Sequence, residues 1–170
     1  MVARLLAWPV ANYICSHRDR LYELGNPLDE TARRRVDRYF SKETLDRVRV
    51  LQADPLPISQ PPLARTVRKL GFDYPELSLT AAITFDALIV TRERMSSSLL
   101  FHELVHVVQC RLLGIQKFAR LYVAGFLSER AYRSIPLEKC AFDLEARYDF
   151  DPAPFSVEAE VTAWLHLKHA

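Results

Sequence analysis

The stretch from Ser96 to Leu113, Ser-Ser-Ser-Leu-Leu-Phe-His-Glu-Leu-Val-His-Val-Val-Gln-Cys-Arg-Leu-Leu, contains no Pro or Gly and runs straight into Gly114. One of Ser96, Ser97 or Ser98 can cap its start and Gly114 can take the left-handed turn after its end, so the segment predicts a helix. Leu99, Leu100, Leu104, Val105, Val107, Val108, Leu112 and Leu113 make this helix apolar nearly all round, which marks an element buried on most sides. The rest of the chain must therefore wrap it. Before Cys110 and Arg111 the only titratable side chains in this apolar cylinder are His102, Glu103 and His106, and burying them without partners would cost several kcal/mol.

A metal ion removes that cost. Residues four apart on a helix lie on one face, about 5 to 6 Å apart at Cβ, so His102 and His106 can share one ion. Glu103 sits one step round the helix, where its carboxylate can reach a water at the ion without being a ligand, the position of a general base. Zinc lowers the pKa of such a water from about 15.7 to about 7, and the chemistry this spacing implies is hydrolysis. The plainer alternative is a pair of hydrogen-bonded core histidines beside a surface glutamate.

A tetrahedral catalytic zinc needs a third protein ligand. The segment from Ser134 to Asp149 reads as a second helix, with Ser134 as its cap and Pro136 tolerated in the first turn. Glu138, Phe142, Glu145 and Asp149 share one stripe of it, while Leu137, Ala141, Leu144 and Tyr148 share another. Glu138 and Glu145 stand about 10 Å apart along the axis, so one ion cannot hold both. Spacing does not choose between them, and either can be read as a solvated helix residue, Glu145 more readily.

The run Leu-Leu-Phe-His102-Glu103-Leu-Val-His106-Val-Val-Gln109, followed by Ile-Pro-Leu-Glu138-Lys-Cys-Ala141, resembles the gluzincin class of zinc metallopeptidases over roughly residues 80 to 150. In that class two histidines come from the first helix and a glutamate from a later one, in several members with alanine three positions on. The resemblance selects Glu138, followed by Ala141, over Glu145, followed by Tyr148. It implies a single zinc on His102, His106 and Glu138, with Glu103 as base in peptide hydrolysis. Many members carry an aspartate four positions after the glutamate; this chain has Phe142 there, which leaves Asp143 or Glu145 to orient a histidine. Tyr132, Arg133 and Tyr122 are candidate donors to the oxyanion, Tyr132 foremost. The implied fold is α+β and zincin-like: a small sheet with an edge strand packed on the active-site helix, plus N-terminal helices.

Upstream, residues 81 to 92 are rich in β-branched side chains and read as a strand or a hairpin bent around Asp86-Ala87. Ile83 to Val90 suits either an edge where an extended peptide could pair or an ordinary core strand. Met1 to about Leu24 reads as an amphipathic helix on the core, stopped by Gly25-Asn26-Pro27, rather than as a leader, because Pro9 and Asn12 interrupt its apolar run. A helix from Asp29 to about Phe40 follows, then a strand over residues 45 to 52, suggested by the alternation of Arg47, Val48, Arg49 and Val50.

The proline-rich loop from Asp54 to Pro62 is the best internal boundary. The chain of 170 residues is expected to form one domain: residues 1–53 an N-terminal helical layer, 63–155 the zincin-like metal-binding core and 156–170 a C-terminal helix. With 49% hydrophobic and 26% charged residues, the composition is globular, and no run approaches a membrane span. Cys15, Cys110 and Cys140 are scattered and odd in number, so no disulfide framework is implied and a reducing, cytoplasmic setting is expected. Cys110 and Cys140 flank the motifs but read as small apolar residues rather than thiolate ligands.

Arginines and lysines concentrate in the first half, among them Arg33, Arg34, Arg35, Arg38, Arg65, Arg68 and Lys69, which raises a DNA-associated protease as an alternative. Interleaved acids and a net charge of only +2 favour an ion-paired, solvated face instead. A further alternative is a catalytically inactive zincin-like metal-binding or protein-interaction module, in which Glu103 would have no role. The expected partner is a peptide or protein substrate, with pockets so small that a partner domain could help define it. His17, His166 and His169 carry no motif and are expected at the surface.

Overall fold

A computed structural model describes residues 2–61, 64, 80–151 and 153–169. The chain opens with helix α1 (Val2–Leu21), which tightens into a 3-10 turn at Tyr22–Leu24 before Gly25, as its punctuation predicts. The two-residue strand β1 (Asn26–Pro27) leads to α2 (Glu30–Val36), whose first turn is capped by Asp29 accepting from the Ala32 amide. This helix is shorter than the sequence suggests, because Asp37 to Phe40 turn the chain aside. Ser41 then caps α3 (Lys42–Arg47), accepting from the Thr44 amide.

The expected strand over residues 45–52 is corrected here: Leu45 to Arg47 finish α3, and only β2 (Arg49–Gln52) is extended. A local cap at Ser41 and the burial of Thr44 and Leu45 outweigh the alternating pattern that follows. Strands β3 (Ala82–Phe85) and β4 (Leu88–Thr91) form the expected hairpin, with Asp86 at φ +60° in the turn. Asp is one of the few residue types that tolerates that backbone.

The strands form one mixed sheet in the order β1-β2-β4-β3, with β2 parallel to β4 and the outer pairs antiparallel. Every residue of β4 is buried. Ile89 points into one core together with Val105 and Ala141, while Leu88 and Val90 point into another with Ala11 and Phe118. This explains why β4 reads as a continuous apolar run. The residues N-terminal to the proline-rich loop are thus more than a helical layer, since they supply β1 and β2.

Helix α4 (Ser97–Leu113) is capped by Ser96, which accepts from the Leu99 amide, and ends at Gly114 with φ +71°. All residues from Leu100 to Cys110 are buried, as the all-round apolar pattern requires. Helix α5 (Ile115–Glu129) follows directly and packs on α1. After a 3-10 turn at Tyr132–Ser134 comes α6 (Pro136–Phe150), and α7 (Val157–His169) closes the described chain. Ser134 does not cap α6. It lies within the 3-10 turn, and Ile135 occupies the cap position with Pro136 in the first turn. The described residues therefore make an α+β fold of seven α-helices around a four-stranded sheet.

Gly125 lets α6 approach α5. A Cβ built there would lie 2.5 Å from Cδ of Pro136 and 3.3 Å from Cγ2 of Ile135, and a proline ring at a helix start cannot swing away. The Gly125→Ala variant should therefore displace the start of α6. Overpacking of this kind costs about 1–3 kcal/mol, partly offset by about 1 kcal/mol of better helix propensity. A lower urea midpoint in the variant is expected, and an unchanged or raised midpoint would show that the contact is not a constraint.

Candidate metal centre

Helices α4 and α6 run past each other, and the acidic stripe of α6 lies along α4. At one end Glu138 meets His102 and His106; at the other, Ser98 donates to Asp149 at 2.6 Å. His102, His106 and Glu138 are buried together, and among the described residues this group could hold a metal ion. Their facing atoms form a nearly equilateral triangle: Nε2 to Nε2 3.2 Å, His106 Nε2 to Glu138 Oε2 3.3 Å, and His102 Nε2 to Glu138 Oε2 3.4 Å. Glu138 Oε2 is buried without a well-aligned hydrogen-bond donor, although two imidazoles stand beside it.

The outer edge of each side chain explains why these atoms face inward. His102 Nδ1 lies 2.9 Å from Glu145 Oε2, and His106 Nδ1 lies 2.9 Å from Gln109 Oε1. Both partners accept, so each Nδ1 donates its N–H and each neutral ring presents a lone pair at Nε2. Tyr122 donates to Glu138 Oε1 at 2.9 Å, which turns the other carboxylate oxygen toward the rings. Three acceptors then converge on one point. A single proton can satisfy only one contact of such a triangle, whereas a cation satisfies all three.

Burial disfavours a charged imidazole, but the adjacent Glu138 carboxylate more than reverses this and lifts His106 to about 9. Burial also pushes Glu138 upward, yet His106 and His102 hold it well below the usual carboxylate range. Without an ion, the pair accordingly shares a proton.

Glu103 is equally enclosed and stands apart from this triangle. Its Oε2 accepts from Thr84 Oγ1 at 2.6 Å, so the carboxylate of α4 is tied to β3, an edge strand of the sheet among the described residues. Burial raises its pKa despite the pull of His106, His102 and Thr84. A carboxylate held beside a metal-binding triangle and biased toward keeping a proton can exchange one.

The structure brings five of the sequence candidates together, His102, Glu103, His106, Glu138 and Tyr122, the last as a donor to Glu138. Tyr132 lies half-buried in the 3-10 turn before α6, and the Arg133 guanidinium sits 4.9 Å over the Phe142 ring. Phe142 packs on His102 with ring centroids 4.5 Å apart. Glu145, read either as a solvated helix residue or, with Asp143, as an acid that could orient a histidine, takes the second role beside His102. Asp143 instead pairs with Lys139 at 2.8 Å. Cys110 and Cys140 are buried thiols outside the triangle; burial raises both, Cys140 to about 11.

His17 is also corrected, being 5% exposed rather than a surface residue. Its Nδ1 is 2.8 Å from the Tyr13 carbonyl, its Nε2 accepts from the Ser59 amide at 3.2 Å, and its ring stacks on Phe85. Burial lowers its pKa. His166 is exposed, while the side chain of His169 lies outside the described residues. Among the arginines, Arg33 pairs with Asp46, Arg34 with Glu30, and Arg18 and Arg47 with Asp86, as an ion-paired face requires. Arg65, Arg68 and Lys69 lie outside the described residues. Among those residues no single helix is long and apolar enough to cross a membrane.

Sequence reasoning missed Gln109 and Thr84. Gln109 left a signal, as an uncharged polar residue one turn after His106 inside an apolar helix. Thr84 left none, because threonine is ordinary in a strand.

Because His106 carries its proton up to about pH 9 in the metal-free pair, a divalent ion must displace it. Binding at neutral pH should release about one proton per ion, and affinity should rise with pH until that proton is already gone. Calorimetry in buffers of different ionisation heat measures this; binding without proton release would contradict the shared-proton state.

The chain matches no protein-family model, no curated protein and no solved structure.

Proposed function

We propose that this chain is a zinc-dependent metallopeptidase that hydrolyses peptide bonds, with His102, His106 and Glu138 as ligands and Glu103 as general base. The observation that carries the proposal is the triangle of 3.2, 3.3 and 3.4 Å between ligand atoms, with Glu103 enclosed beside it. Ligands about 2.0–2.1 Å from a tetrahedral zinc are separated by about 3.3–3.4 Å, so the triangle matches one face of that tetrahedron. Two imidazoles and one carboxylate form a donor set typical of catalytic rather than structural zinc, which takes four protein ligands.

Zinc bound there would act as a Lewis acid that polarises a carbonyl and makes water nucleophilic near neutral pH. Glu103 is anchored through Oε2 by Thr84, which leaves Oε1 to take a proton from the attacking water and pass it to the leaving amine. Tyr122 donates to Glu138, and Tyr132, in the 3-10 turn before the ligand helix, remains the candidate donor to the developing oxyanion named from the sequence. Strand β3 pairs with β4 on one side, and its other edge is the candidate rail for an extended peptide or protein segment.

One observation favours a second reading, a metal-binding module without catalysis. His102, Glu103, His106 and Glu138 are only 2–6% exposed, a narrow opening for a peptide.

The Glu103→Gln variant separates the two. It should keep one zinc per chain by elemental analysis and lose about 10²–10⁴-fold of cleavage of a fluorogenic peptide library. Zinc should be lost in His106→Ala. Zinc-loaded wild type that cleaves nothing selects the binding module, and a Gln variant that cleaves normally removes Glu103 as the base.

A further inference from the structure

Gln109 is fully buried, on the same face of α4 as His106 and three residues beyond it. An amide side chain has one face that only accepts and one that only donates, and the neighbours decide which points where. Here they decide firmly. The Leu137 carbonyl can only accept, and it takes Gln109 Nε2 at 2.9 Å. The Cys140 thiol lies beside the same side chain. The nitrogen therefore faces α6, and Oε1 faces His106 Nδ1 at 2.9 Å.

An oxygen that only accepts requires a proton on Nδ1. The lone pair of neutral His106 then lies on Nε2, the atom aimed at His102 and Glu138. The other tautomer would set two lone pairs against each other at the Gln109 contact and place a hydrogen inside the triangle. Leu137 immediately precedes Glu138 on α6, so the amide grips the ligand helix beside the ligand it presents. Glu145 does the reciprocal work, reaching from α6 back to His102 on α4.

We propose that Gln109 is the positioning residue of the metal centre: it fixes which nitrogen of His106 coordinates and, through Leu137, holds Glu138 in register with the two histidines. This rests on the metal-centre reading above. A carboxylate at this position could hold the ring but could not donate to Leu137, and an aliphatic side chain could do neither.

The test uses the full chain, zinc as the metal, and the variants Gln109→Leu and Gln109→Glu, with folding checked by circular dichroism. Zinc affinity of Gln109→Leu should fall about 10–100-fold, the usual effect of removing a partner behind a metal ligand. Gln109→Glu should recover part of that loss. Nitrogen-15 NMR of the His106 ring should show Nδ1 protonated in wild type and a mixture of tautomers in folded, metal-free Gln109→Leu, recorded in alkaline buffer where the ring is neutral. The proposal is overturned by a Leu variant with affinity within twofold of wild type, or by wild-type His106 carrying its proton on Nε2. Where the Leu variant does not fold, the wild-type ring assignment decides alone. Wild type that binds no zinc would defeat the metal reading, while the ring assignment in metal-free protein would still judge Gln109.

Discussion

Three acceptor atoms buried at one point govern this structure. Two imidazole nitrogens and a carboxylate oxygen lie 3.2 to 3.4 Å apart in an interior that offers them no full set of donors. Mutual repulsion of lone pairs would disperse such a group unless something positive sat among them and something rigid held them from behind. Both requirements shape the surroundings. Glu145, Gln109 and Tyr122 each hold a ligand from its outer side, and the proton shared by His106 and Glu138 is the weakest substitute for a metal charge.

The arrangement also accounts for Phe142. An aromatic ring stands where a residue one turn beyond the ligand glutamate could have reached a histidine, and it packs flat-sided apolar surface against His102 instead. The carboxylate beside His102 Nδ1 comes from Glu145, on the stripe of α6 that faces α4. A helix repeats its face at both four and seven residues, so either position can serve.

Much of this was legible in the sequence because it is local. The α4 helix, a cap among Ser96, Ser97 and Ser98, its Gly114 stop, and the same-face placement of His102 and His106 follow from spacing alone. The stripe Glu138, Phe142, Glu145 and Asp149 was readable as a stripe, and the hairpin around Asp86 as a hairpin. What spacing could not supply was the partner of each group across the fold. Gln109 reaching Leu137, Thr84 reaching Glu103, and His17 enclosed between Phe85 and Ser59 are contacts between distant stretches of chain. The strand boundary at Arg49 failed for a different reason: alternation was present, but a capped helix upstream consumed its first residues. Choosing Glu138 over Glu145 needed a family resemblance, since both point the same way.

The parallel pairing of β2 with β4 has an architectural corollary. Parallel neighbours cannot be joined by a tight turn, so the sheet is completed only after a long excursion of the chain between Gln52 and Leu88. β4 rests against β2 on one side and the Glu103-bearing side of the molecule, through β3, on the other. Severing the polypeptide in the proline-rich stretch would leave a C-terminal fragment with an open strand edge and an uncovered apolar face beside its metal-binding residues. The His102, His106 and Glu138 triangle is thus inseparable from the first third of the polypeptide, even though none of its three residues comes from there.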